Sequence, residues 1–444
     1  MINNKHLAVI ICLLTTSLFF AQQKTSLKLK EAINLAIEKS NEVVLANTKV
    51  ATKKLELQSV KNNLYPSLKA SGQYYRLTNA SVDQKNKSTG SSSIPTASPK
   101  VNQLMLAQIN ASLPIFSGFK LRNSIEIADN MYKAENALAE NTKEEIAVKV
   151  VEFYAELYRA QKSIELLNEN LKKSNQRATD FKALEENGII ARNDLLKAQL
   201  QIAKVQLSLD EASKNVNIIN YELITLLKLP SETQLFVDES EFKNFEMINI
   251  PKDESTALLF RKDLEAVRIQ EKASENNIKL AKGSYYPNLS LVAGYTALSL
   301  QNVVTVKNAI NFGLGVSYDF SSIFKNNTEV KIAKNKALEI RQNENLLTDK
   351  IKIDVKNAVE NYNLALKQNL VYAQAVEQTS ENYRIVKDKY DNGLSDTNDL
   401  LEADVEDLNA KINQSYTKAN IVEKYYQLLS VSGQLTQTIN ASKN

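Results

Sequence analysis

The chain has 444 residues, with 55 Lys and Arg against 51 Asp and Glu; a net charge of +4 over that length marks no nucleic-acid partner. One His (His6), one Cys (Cys12) and no Trp leave no Ser-His-Asp or Cys-His set, no disulfide and no usual metal ligand set. No GxxxxGK(S/T) or GxGxxG phosphate loop occurs, so nothing here hydrolyses a nucleotide or calls for a cofactor.

Taken in chain order, residues 1–21 read as a secretory signal peptide: Lys5 and His6, then an apolar run from Leu7 to Phe20, then Ala21. That run is shorter than the ~20 residues a spanning helix needs. Cleavage is expected after Ala21, although Phe19 stands where a small residue is preferred. Ile11 before Cys12, and the apolar run beyond it, argue against a lipid anchor there. Cleavage would remove both His6 and Cys12. No later stretch holds 18 consecutive apolar residues, so any membrane insertion must be by strands.

The rest divides as a helix over 22–65, alternating segments over 66–116 and a long helical hairpin over 117–229. A segment over 230–253 with Pro230, Pro251 and acidic residues follows. The order then repeats: a helix over 254–286, alternation over 287–320, a helical hairpin over 321–430 and a tail over 431–444. The repeat is a duplication. Asn187-Gly188 through Ala198 matches Asn392-Gly393 through Ala403 at seven of twelve positions with an offset of 205. Phe116-Ser117 and Phe320-Ser321 lie 204 apart, and Tyr65-Pro66 and Tyr286-Pro287 lie 221 apart. The extra residues of the first half fall in 76–103 and include a polar Ser88–Ser98 tract, read as an exposed loop.

The hairpins carry apolar residues at alternating steps of four and three. Ile146, Val150, Phe153, Leu157, Ala160, Ile164, Leu167 and Leu171 form one series, and Leu195 through Leu226 returns. Ile351, Val355, Ala358, Tyr362 and Ala365 repeat it, with Leu401, Val405, Leu408 and Ile412 returning. This period of 3.5 is a coiled-coil seam. A helix over about 119–186 would be ~100 Å long, too long for the wall of an ordinary globule.

Pro66 and Pro287 end helices, and beyond each the period becomes two. Leu68, Ala70, Gly72 and Tyr74 share one face; so do Met105 through Ile115 at odd positions, Leu289 through Tyr295 at odd positions, and Ile310 through Phe320 at even positions. Each segment has the length of a tilted membrane strand. A soluble sheet packed on the helices would alternate in the same way; the export signal, the helix lengths and the lack of another core favour the membrane. Four strands cannot close a barrel, and an open edge in lipid leaves backbone groups unpaired at several kcal/mol each. The ring must therefore be completed by other copies, as a dimer, trimer or larger assembly.

This plan resembles the TolC-like outer-membrane efflux protein family across essentially the whole chain after the leader. The duplicated helix–strand–strand–helix order, both Tyr-Pro junctions, Phe116-Ser117-Gly118 and both Asn-Gly turns followed by Asn-Asp-Leu-Leu carry the likeness. The resemblance implies a mixed α/β membrane protein of a Gram-negative bacterium. Very long coiled-coil helices would form a periplasmic α-barrel, and four transmembrane strands per chain would contribute to a trimeric 12-stranded β-barrel. Residues 66–116 and 287–320 would be the barrel hairpins, and 230–253 with the C-terminal tail an equatorial collar. It also implies a homotrimer in outer-membrane lipid, passive conduction without catalysis, and a periplasmic adaptor and inner-membrane pump as partners.

The same resemblance places Asn187, Gly188, Asn392 and Gly393 at tip turns where an adaptor docks. Asp399 and Glu402 would form acidic rings at the pore entrance, and Asp194 and Tyr390 gate contacts. The family's basic gate position is Ser395 here, so the expected ion pair is missing. An Asp just after a turn also serves as an ordinary helix cap or dipole partner. Tyr74, Tyr295 and Phe312 fit aromatic girdles or plain strand packing equally well. The alternatives are an exported coiled-coil stalk or adhesin that conducts nothing, and a periplasmic hydrolase built on paired carboxylates.

Overall fold

The computed structural model describes residues 24–78, 80, 82, 100–243 and 253–441. The expected signal peptide, the Ser88–Ser98 loop and residues 244–252 of the collar lie outside them. In chain order the elements are β1 (Lys24–Ser26), α1 (Leu29–Lys39), α2 (Asn41–Lys61), β2 (Ser67–Arg76), β3 (Gln103–Ser117), α3 (Lys120–Glu186) and α4 (Arg192–Leu227). There follow β4 (Gln234–Phe236), α5 (Ser240–Lys243), α6 (Glu254–Phe260), α7 (Lys262–Lys282), β5 (Asn288–Leu300), β6 (Val304–Ser317), α8 (Ser322–Asp391), α9 (Thr397–Val431) and α10 (Leu435–Ala441). The chain divides into two compact units, one of residues 49–136 and 266–345, the other of 1–48, 137–265 and 346–444.

The first of these units holds one antiparallel sheet in the order β2-β3-β5-β6. Paired residues in a sheet share a face, so the register decides whether the four apolar sets coincide. They do. Leu68, Ala111, Ala293 and Phe312 form one cross-sheet row, and Ala70, Ile109, Tyr295 and Ile310 the next. The opposite face carries Lys69, Asn110, Gly294 and Asn311 in one row and Ser71, Gln108, Thr296 and Ala309 in another.

Two expectations shift here. Pro114 lies inside β3, where it has no N–H to donate, and a bulge between Pro114 and Phe116 absorbs it. Phe116, not Ile115, then stands opposite Leu289. The fourth strand, expected to run to Phe320, stops at Ser317. Asp319 ends it: its Oδ1 accepts the Ser321 N–H at 2.9 Å and hydroxyl at 2.7 Å, starting α8.

At the foot of the sheet, Gly118 (φ 63°) lies against Gly283, and a Cβ on Gly118 would sit 2.2 Å from the Gly283 carbonyl oxygen. Only glycine tolerates both that φ and that approach. Phe116, Phe119 and Tyr286 pack edge to face around this contact, with centroids 5.2–6.4 Å apart.

The other unit is built on the helical hairpins. The heptad positions of α3 and α4 are buried or half-buried as the period requires, with Val150, Leu157 and Leu223 at most 1% exposed. The predicted single helix over 22–65 is broken at Ser40, whose backbone is extended (ψ 143°) and whose Oγ accepts the Val43 N–H at 3.4 Å. The second half breaks likewise at Arg261 (ψ 122°), 221 residues on, the same offset as the Tyr-Pro pair. In the segment after α4, β4 pairs in parallel with β1. Gln161 donates to the Leu235 carbonyl at 2.7 Å and accepts from the Val237 N–H at 3.1 Å. Asn220 bonds the Thr233 carbonyl and the Leu235 N–H, each at 2.9 Å. These two amides satisfy the backbone groups of β4 that β1 does not reach.

Candidate functional site

Both tip turns have one construction. Gly188 (φ 70°) and Gly393 (φ 71°) are left-handed. Ile189 N–H returns to the Leu184 carbonyl at 2.9 Å, and Leu394 N–H to the Lys389 carbonyl at 2.8 Å. Asn187 and Asn392 each send their side-chain amide four residues back, to Ala183 and Asp388 carbonyls at 2.6 and 2.7 Å. Each helix end thus satisfies its last carbonyls by itself.

The helices that follow start differently. Asp396 caps α9, accepting from the Asn398 and Asp399 N–H groups at 2.7 and 3.0 Å. Asp399 is therefore not the cap; its Oδ2 accepts the Ser395 hydroxyl at 2.7 Å. Glu402, three residues on, is exposed and rims a groove of about 920 Å³ between α3, α4 and α9, floored by Ala160, Leu167 and Val405. The first tip has Ala191 at the cap position with no side-chain bond. Asp194, in its first turn, pairs with Lys197 at 3.4 Å. Tyr390 packs on Phe181 with ring centroids 5.7 Å apart, in a cluster with Leu195, Ala198 and Leu400. Pro66 and Pro287 follow 3-10 turns, Asn62–Leu64 and Gly283–Tyr285, that carry each helix into its strand.

Of the α9 seam expected at Leu401, Val405, Leu408 and Ile412, Leu408 is buried and the other three are half-buried, while Leu400, Ala403, Asp404 and Asp407 are buried beside it. Arg177 reaches Asp404 Oδ2 at 2.9 Å and the Tyr383 hydroxyl at 2.9 Å, tying α3 to both α8 and α9. Asn170 adds a bond to the other Asp404 oxygen at 3.3 Å. Burial alone would lower the Arg177 pKa, but Asp404 and Tyr383 together hold it above its ordinary range. One turn along, Asp407 accepts from Ser380 and Lys411, each at 2.5 Å. Asp404 and Asp407 fall off the Leu401, Val405 and Leu408 series, so no periodic signal marks this layer in the sequence.

The sheet is a second candidate site by itself. Its apolar face is open: Leu68, Ile310, Phe312, Leu314 and Val316 are all exposed, Phe312 to 88%. The edges β2 and β6 have no strand beside them among the described residues. No described helix is long and apolar enough to cross a membrane.

The chain matches the model of the family described as outer membrane efflux protein over residues 32–227 and 255–434. No curated protein matches it in sequence. Among solved structures it is similar to the Campylobacter jejuni CmeC outer membrane channel, at 17% identity and TM-score 0.77 over 96% of this chain and 94% of that one. It is also similar to the outer membrane protein VceC of Vibrio cholerae, at 16% identity and TM-score 0.75 over 91% and 96%. The open state of the Neisseria gonorrhoeae MtrE outer membrane channel gives 19%, 0.70, 92% and 89%. At such identities the likeness is one of fold.

Proposed function

The chain belongs to the outer membrane efflux protein family, and from that premise we propose that three copies form the exit duct of a tripartite efflux or type I secretion assembly. The chain is an outer-membrane efflux duct and not an enzyme. The finer reading rests on one observation. Four strands present one continuous apolar face, yet both outer edges of their sheet are unpaired.

In the sheet, β2 and β6 run in opposite directions, since each of the three pairings between them is antiparallel. The β6 edge of one copy therefore meets the β2 edge of the next in antiparallel fashion, and the ring closes without reversing a strand. Three copies give twelve strands, above the eight or so that known membrane barrels require. No residue set for nucleotide hydrolysis exists, so the energy and the substrate come from partners: an inner-membrane pump and a periplasmic adaptor that docks at the Asn187-Gly188 and Asn392-Gly393 turns. Asp399 and Glu402 supply acidic rings at the entrance, and Tyr390, Asp194 and Ser395 lie at the gate.

Outer-membrane fractions run unheated on SDS gels test the assembly: a heat-labile band at three times the chain mass is expected, and a monomer that leaves the membrane with carbonate overturns it. Photo-crosslinkers at Asn187 and Asn392 should capture one adaptor; capture of nothing at either turn counts against the docking site.

A further inference from the structure

We infer that Lys69 forms a cationic collar inside the barrel that favours anionic solutes on their way out; this rests on the trimeric duct proposed above. The four strands contain no Asp or Glu. Their cations are Lys69, Arg76 and Lys307. Arg76 ends β2 on the side of Tyr74, and Lys307 falls in the β5–β6 bulge. Lys69 alone sits in the regular ladder of the polar face, opposite Asn110, in the row with Gly294 and Asn311. Side chains of that row do occupy the polar face: a Cβ on Gly294 would meet Asn311 Oδ1 at 2.5 Å and Asn110 Oδ1 at 3.1 Å.

If the apolar face meets lipid, this row faces the lumen. Neighbours of Lys69 on its own strand are Ser67 and Ser71, and the β6 strand that the next copy would bring beside it holds no Asp or Glu, so no carboxylate approaches it from within the wall. Twelve strands about 4.8 Å apart, tilted about 40°, close at a backbone radius of about 12 Å. A lysine reaching about 6 Å inward brings its ammonium within about 6 Å of the axis, inside the screening length of about 8 Å in physiological salt. Three such charges enrich a monovalent anion on the axis about fivefold and deplete a cation to match. A wide, uncharged exit would do neither.

Single trimers in planar bilayers under a tenfold KCl gradient test this, with Lys69→Gln and Lys69→Glu beside the wild type. Each substitution should move the reversal potential toward cation preference, Lys69→Glu further, and the difference should shrink severalfold in 1 M salt where screening shortens to about 3 Å. In the same channels Lys69→Cys should react with a membrane-impermeant anionic thiol reagent and change conductance, while Phe312→Cys on the apolar face should not. Channels that conduct normally yet show the wild-type reversal potential in both variants, or an unreactive Lys69→Cys, overturn the collar and leave the duct standing. Wild-type trimers that never conduct overturn the duct, and the collar with it.

Discussion

Lys228 and Gly433, 205 residues apart, end α4 and α9 in the same left-handed conformation, with φ 56° and 70°. Each is followed by the same returning bond, Leu229 N–H to the Ile224 carbonyl and Gln434 N–H to the Leu429 carbonyl, both 2.9 Å. The two halves therefore share a helix stop whose residue differs. At Lys228 a Cβ bears the left-handed penalty, so Lys228→Gly should stabilise the fold by about 1 kcal/mol. Gly433 cannot make the converse change: a Cβ there would lie 2.8 Å from the Phe260 carbonyl carbon. Gly433→Ala should cost about 2 kcal/mol or more. Thermal midpoints in detergent check both signs.

The Arg177–Asp404 pair is 10% and 4% exposed at its side chains. Removing one partner leaves the other charge buried and unpaired, which typically costs about 3–5 kcal/mol. Arg177→Met and Asp404→Leu should each destabilise by that order. The double variant should recover most of the loss, because an apolar pair suits a coiled-coil interior. A double-mutant cycle on urea unfolding measures it, and simple additivity would mean that the two side chains do not act as a pair. Tyr383→Phe, which removes only the hydroxyl at 2.9 Å from Arg177, should cost about 1 kcal/mol.

Much of this fold was legible because its signals are periodic or repeated. Leu157, Leu167 and Leu223 follow the heptad, and Gly188 and Gly393 announce themselves by a shared Asn-Gly. What escaped is what breaks a period locally. Ser40 interrupts a helix with one extended residue inside an unbroken helical pattern. Pro114 sits in an interior strand that only a bulge permits. Asp404 and Asp407 look like solvent-facing acids until their partners Arg177, Ser380 and Lys411, distant in sequence, arrive beside them. Strand pairing between the halves was also hidden: alternation shows which residues of one strand share a face, but only the β3–β5 register puts Ile109 beside Tyr295 and Asn110 beside Gly294.

Glu144 gives the tail a pH response. One of its carboxyl oxygens accepts from the Thr436 N–H and hydroxyl at the start of α10, while the other is buried without a partner. Burial, the largest effect, raises its pKa above the ordinary 4.5, against the lowering by Thr436 and Leu435; Glu140 raises it further. The folded state thus holds this proton more tightly than the unfolded chain does. Its contribution is fully present below pH 4.5 and is lost as pH rises through the elevated folded value. Amide exchange over 435–441 should quicken with pH beyond the intrinsic chemical rate, and Glu144→Gln should remove that excess. An equal excess in both proteins would sink the assignment.

Asp399 and Glu402 can be neutralised without disturbing their helix, because Asp396 is the cap of α9 and, among the described residues, Asp399 bonds the Ser395 side chain alone. That separates charge from folding at the tip. If these acids ring the entrance, six carboxylates per trimer concentrate cations there, and the effect is strong only at low ionic strength. Asp399→Asn with Glu402→Gln should lower the cation-to-anion permeability ratio severalfold at 0.1 M salt and little at 1 M, with the unfolding free energy within about 0.5 kcal/mol of wild type, as for exposed surface changes. Ser395→Ala tests the remaining contact: it frees Asp399 without removing charge, so selectivity should hold while the closed-state lifetime shortens if that bond steadies the gate. A double variant as cation-selective as the wild type would place the two acids outside the conducting path.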